Sequence, residues 1–68
     1  MDSVDKTIDS LARRVGKLYH QLMVIYDIEY DHYVIEVIDN YGGVVTAGLG
    51  FTLEKAIEDV TKGLKSYE

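Results

Sequence analysis

The feature that most constrains this 68-residue chain is its apolar period, which changes from helix-like to strand-like and back again. Near the start, Val4, Ile8, Leu11, Val15, Leu18 and Leu22 recur at spacings of 4, 3, 4, 3 and 4, which places them on one face of a helix. Ser3 is positioned to cap that helix. Asp2 and Asp5 suit the positive end of its dipole, and Arg13, Arg14, Lys17 and His20 suit the negative end. The 4-3 pattern also fits a coiled-coil seam. About three heptads is short for one, so packing on a sheet is the expected use.

From about Leu22 the period becomes two. Val24, Tyr26, Ile28 and Tyr30 alternate with Ile25, Asp27 and Glu29, the signature of a half-buried strand. A tight turn at Asp31-His32 leads to a second strand, Tyr33 to Ile38. Asp39-Asn40-Tyr41-Gly42-Gly43 reads as another turn, and Val44 to Ala47 as a third strand ended by Gly48-Leu49-Gly50. A second helix follows, capped by Thr52, with Leu53, Ala56, Ile57, Val60, Leu64 and Tyr67 on one face. Gly63 inside it costs about 1 kcal/mol against alanine and marks either a close contact or early fraying.

The expected fold is therefore α+β, in the order α-β-β-β-α. A three-stranded antiparallel sheet carries both helices on one face, in a single domain over residues 1–68. A domain this small draws roughly 3–5 kcal/mol from its own core. Without cysteine, neither disulfides nor a thiolate zinc site adds to that. The acidic start lacks the features of a signal peptide, and no apolar run approaches the ~20 residues of a membrane span, so a cytoplasmic location is expected.

The charges are unevenly placed. Residues 22–51 hold five acids, Asp27, Glu29, Asp31, Glu36 and Asp39, and no lysine or arginine. The remainder holds seven of each sign, so the net charge of −5 belongs to the sheet and its turns. If Val24, Tyr26 and Ile28 face the helices with Ile35 and Val37, the open face carries Asp27, Glu29 and Glu36. Ile25, Val34, Ile38, Val44 and Thr46 join them there. An apolar patch rimmed by charge is the composition of an interface. Tyr26, Tyr30, Tyr33 and Tyr41 fall in the same region, and tyrosine is a frequent interface anchor.

Two functions follow from such a surface. It can dock on a basic protein, its carboxylates imitating phosphates, with Asp27, Glu29, Asp31, Glu36 and Asp39 supplying charge and Tyr30, Tyr33 and Tyr41 supplying anchors. It can instead close a homodimer through Ile25, Val34, Ile38 and Val44. Catalysis is not expected, because Ser3, Ser10 and Ser66 have no histidine and acid suitably placed. A metal site from Asp27, Glu29, Asp31 and His32 lacks a second nearby histidine, and no metal or cofactor is expected. The glycines are turn residues, not a phosphate loop, since the Gly-Lys-Ser/Thr ending is missing. The α-β-β-β-α order is shared with double-stranded RNA-binding domains. The basic patch those domains use at the last helix is reduced here to Lys55 beside Glu54, and net acidity disfavours direct nucleic-acid or membrane binding.

Residues 24–64 resemble the HicB-type antitoxin domain. The likeness rests on Ile28 to Val37, on Gly43-Val44-Val45-Thr46-Ala47-Gly48, and on Thr52-Leu53-Glu54-Lys55-Ala56-Ile57-Glu58-Asp59-Val60. The family's proline-containing turn before the third strand is replaced by Asp39-Asn40-Tyr41-Gly42, and two extra residues sit around Leu49-Gly50. No DNA-binding segment follows the last helix, so autorepression is not expected. The resemblance implies inhibition of a small ribonuclease toxin, and often dimerisation. In size, charge and topology the chain is also similar in type to small acidic phage inhibitors such as anti-CRISPR proteins, which would act in the host cytoplasm.

Overall fold

A computed structural model describes residues 7–67 of the chain, so the expectations for Asp2, Ser3, Val4 and Asp5 lie outside the described residues. The elements are α1 (Ile8–Lys17), β1 (Gln21–Asp27), β2 (His32–Ile38), β3 (Val44–Gly50) and α2 (Leu53–Leu64), followed by a 3₁₀ turn at Lys65–Tyr67. The α-β-β-β-α order holds, and the strands form one open antiparallel sheet in the order β1-β2-β3.

The residue that caps α1 is Thr7. Its backbone is extended and its hydroxyl accepts the Ser10 N–H at 3.1 Å. The helix ends in a Schellman motif. Tyr19 N–H donates to Gly16 C=O at 3.0 Å, and His20 N–H donates to Val15 C=O at 3.2 Å. Tyr19 takes the left-handed position usually given to glycine, with φ 60°, at a cost of about 1 kcal/mol. Leu22, which continues the helical stripe in sequence, consequently falls in β1.

The first hairpin turns earlier than the alternation suggests. β1 stops at Asp27, paired with His32, and Ile28 to Asp31 form the connection. The Asp27 Oδ1 accepts the N–H groups of Glu29 (3.0 Å) and Tyr30 (3.4 Å), and Asp31 takes φ 55°. Ile28, expected to face the helices, is instead 83% exposed at the turn. Glu29 likewise belongs to the turn and not to the open face.

Register fixes the faces. Leu22, Val24 and Tyr26 lie opposite Val37, Ile35 and Tyr33, and Ile35 and Val37 lie opposite Gly48 and Thr46. That side carries the helices. Leu11 and Val15 of α1 and Ala56, Ile57, Val60 and Leu64 of α2 close over Ile35 and Val37 in one core. Thr46, expected outside, therefore faces α2. A bulge inserts Val45 between the partners of Val37 and Ile38, which shifts the alternation by one and turns Val44 outward.

The segment Gly48-Leu49-Gly50 does not end β3 but is part of it. A Cβ on Gly48 would lie 2.4 Å from the Val60 nitrogen, and one on Gly50 2.4 Å from that of Ala56. These positions are glycine because α2 lies directly on the strand backbone. Gly63 marks a close contact in the same seam, against Thr46. Thr52 caps α2 as its sequence indicates, accepting the Lys55 N–H at 3.1 Å. Thr61 is buried, its hydroxyl donating to Ile57 C=O at 2.7 Å. The thinnest dimension is 19 Å, enough for a sheet and a single helix layer. Among the described residues, no helix covers the other sheet face.

Candidate functional site

Paired residues on the helix-free face form cross-strand rows. The first is Gln21, Ile38 and Val44, and the second is Met23, Glu36 and Ala47. The third is Ile25, Val34 and Leu49, and the last is Asp27 and His32. Met23, Ile25, Val44 and Leu49 are exposed, while Val34, Ile38 and Glu36 are half-buried by their neighbours. Ile25, Val34, Ile38 and Val44 thus do share one surface. Glu36 is the only carboxylate within its central rows.

The other four acids of residues 22–51 occupy the two ends of the sheet, separated by the length of β2, roughly 20 Å for seven residues. At one end are Asp27, Glu29 and Asp31. Asp27 holds the turn through Oδ1, and its Oδ2 lies 3.8 Å from His32 Nε2. The Tyr30 ring leans over His32 with centroids 5.8 Å apart. The Tyr26 phenol donates to Asp31, and losing that bond on ionisation raises the phenol pKa above its ordinary value. Glu29 is held in the turn by its main-chain N–H alone among the described contacts, and it is exposed at the tip.

Asp39 sits at the opposite end. Its Oδ1 accepts N–H groups from Gly43 and Tyr41, both at 2.9 Å, and its main-chain N–H donates to Gly43 C=O. The two amide donors, Gly43 first, lower its pKa, because they stabilise the ionised carboxylate. Tyr41 is 96% exposed at this turn. Asp27 and Asp39 are therefore half-buried, turn-forming groups.

The anchors divide differently from the sequence expectation. Tyr30 and Tyr41 are exposed at opposite ends, whereas Tyr33 lies on the helix side, half-buried against the core. Its ring meets that of Tyr26 edge-on at 5.1 Å. The period of two that buries Ile35 and Val37 also turns Tyr33 inward, so the signal was present. Residue type alone suggests an anchor.

Sequence patterning did not point to Met23, Leu49 or Phe51. Leu49 was concealed between two glycines that read as a turn. Together with His32, Gly50, Phe51 and Lys55 it lines a groove of about 430 Å³ where β3 passes into α2. Lys55 is the one lysine or arginine among the described residues that line the groove. Among the described residues, no group of three histidine or acidic side chains could hold a metal ion, and no helix is long and apolar enough to cross a membrane. The surface offers hydrogen-bond acceptors, phenols and apolar area to another macromolecule. No family model, curated protein or solved structure matches the chain.

Proposed function

We propose that this protein inhibits a nucleic-acid-processing protein by stoichiometric binding, using the helix-free face and the acidic turn at its edge. The observation that carries the reading is a bare sheet face bordered by carboxylates, in a stretch of thirty residues without one lysine or arginine. A nuclease or similar enzyme presents the reverse pattern, a basic groove built for phosphates. Glu29 and Asp31 meet its cations at one end, Glu36 in the middle, and Asp39 at the other. Met23, Ile25 and Leu49 supply the water-excluding area between them. The resemblance to HicB-type antitoxins points to the same act, and the protein would perform it in the cytoplasm.

Homodimerisation through this same face is the second reading, favoured by the apolar rows. Glu36 weighs against it. A two-fold stack centred on β2 brings two Glu36 carboxylates together in a dry interface, where unpaired charge is strongly unfavourable.

Affinity capture from lysate of the source cell, or of its host, at low and high salt tests the proposal. The expected catch is a nucleic-acid enzyme that is released as salt rises and whose activity falls when the protein is added back. Capture of duplex RNA at physiological salt would instead support the RNA-binding reading. Recovery of this chain alone would remove the inhibitor.

A further inference from the structure

The two edges of the sheet differ in a way the docking function does not use. At the β3 edge, the Leu49 N–H points away from β2 and is accepted by Asp59 Oδ2 of α2 at 2.9 Å. A bulge distorts the same strand near its start. Among the described residues, the β1 edge has neither device. Met23, Val24, Ile25 and Tyr26 are 45%, 44%, 38% and 48% exposed, so apolar surface is left on both faces of an edge strand. Gln21 to Tyr26 carries no charge and no proline, and among the described residues of β1 only Leu22 packs against the core. Unguarded apolar edges of this kind pair with other strands.

Hydrogen-bond phase identifies the free groups. Because Leu49 directs its N–H off the sheet, Leu49 and Val34 form a non-hydrogen-bonded pair, so Val34 bonds toward Ile25. Asp39, five residues after Val34 and so of opposite parity, donates its N–H toward the β3 side, to Gly43 C=O, in keeping with this phase. Leu22, Val24 and Tyr26 then present their N–H and C=O groups outward.

We infer that β1 pairs antiparallel with β1 of a second copy, about a two-fold axis through Val24, to form one continuous six-stranded sheet. In this register Val24 faces Val24 and Leu22 faces Tyr26, so every outward backbone group finds a partner. Met23 meets Ile25 on the helix-free side. Gln21 lies opposite Asp27, which keeps the two Asp27 carboxylates at opposite ends of the seam. The axis is perpendicular to the sheet, so both docking faces lie on the same side and the acidic surface doubles in extent. Pairing of β1 with β3 of another copy would propagate without closing, and the guarded β3 edge disfavours it.

Sedimentation or light scattering of the full chain over a range of concentrations, with residue-resolved amide exchange, tests this. The expected species has twice the 7.7 kDa mass of one chain. In it the amides of Leu22, Val24 and Tyr26 are as protected as those of Met23 and Ile25. Val24→Lys, which sets like charges opposite each other at the axis, should give a folded monomer in which only the first three amides become exchangeable. Should that variant fail to fold, exchange in the unmodified chain still decides. A chain monomeric at every concentration would overturn the inference, as would a dimer whose Leu22, Val24 and Tyr26 amides exchange freely.

Discussion

The two outer strands of this sheet have the same length and opposite fates. β3 lies beneath α2, with Gly48 and Gly50 admitting the helix backbone and Asp59 taking its outward N–H. β1 keeps two apolar faces and a row of backbone groups open. The difference teaches that a second helix in a chain of this size can guard one edge only. α2 spends its apolar face on β3 and the centre of the sheet, and α1, at ten residues, reaches just the start of β1. What remains open is available for association, along the β1 edge and across the helix-free face. A small domain with a thin core gains from both.

The contrast is broken most severely at Gly48. Gly48→Ala drives a methyl group into the α2 backbone, where nothing flexible can yield. A loss of about 3 kcal/mol or more is expected, which is most of the margin of a domain this small. Urea denaturation should show it largely unfolded, whereas Met23→Ala on the β1 side should stay within ~0.5 kcal/mol of the parent. A Gly48→Ala protein of parental stability would mean that α2 does not lie where described.

A smaller change tests the guard itself. Asp59→Ala leaves the Leu49 N–H to water and should cost about 1 kcal/mol, with faster exchange at that amide and a new tendency to form larger oligomers through β3. Asp59→Asn keeps an acceptor and should restore much of the protection. If neither variant changes Leu49 exchange, the β3 edge is closed by something other than Asp59.

The smallest effect is at the β2–β3 turn. Asp39 has a folded pKa below its ordinary value, so its contribution is complete above the unfolded carboxylate pKa of about 3.9 and is lost as pH falls through the lowered value. Acid titration should loosen the Tyr41 and Gly43 amides at lower pH than an unperturbed aspartate would. Asp39→Asn should remove that pH dependence. Loosening centred near the ordinary aspartate pKa would contradict the hydrogen bonds assigned to its carboxylate.

Much of this architecture is written in local periodicity. Ile35 and Val37 are legible as core from an alternation of two, and Thr52 from its place before an acidic first turn. Other features are not, for identifiable reasons. Ile28 and Tyr30 prolong the β1 alternation, and only the capture of two amides by the Asp27 carboxylate, with Asp31 left-handed, ends the strand sooner. Gly48 and Gly50 use the residue that turns also use, and nothing local distinguishes a bend from a helix pressed against a strand. Thr46 faces α2, against the simple alternation, because one bulged residue, Val45, reverses the pattern that runs through Val44. The carboxylates of the candidate surface were legible as a charge imbalance. Their separation into two ends and a centre depended on where the turns fell.

Those positions decide how the docking surface should be probed. Asp27 and Asp39 build turns, so replacing them confuses charge with folding, whereas Glu29 and Glu36 carry charge alone. The most direct measurement compares partner capture by Glu29→Lys/Glu36→Lys with capture by Glu54→Lys/Glu58→Lys, which makes the same change in net charge on the exposed side of α2. The account predicts that the sheet variant loses the nucleic-acid enzyme while the helix variant retains it, both remaining folded by circular dichroism. Equal loss from both variants, or retention by both, would contradict a docking surface on the sheet.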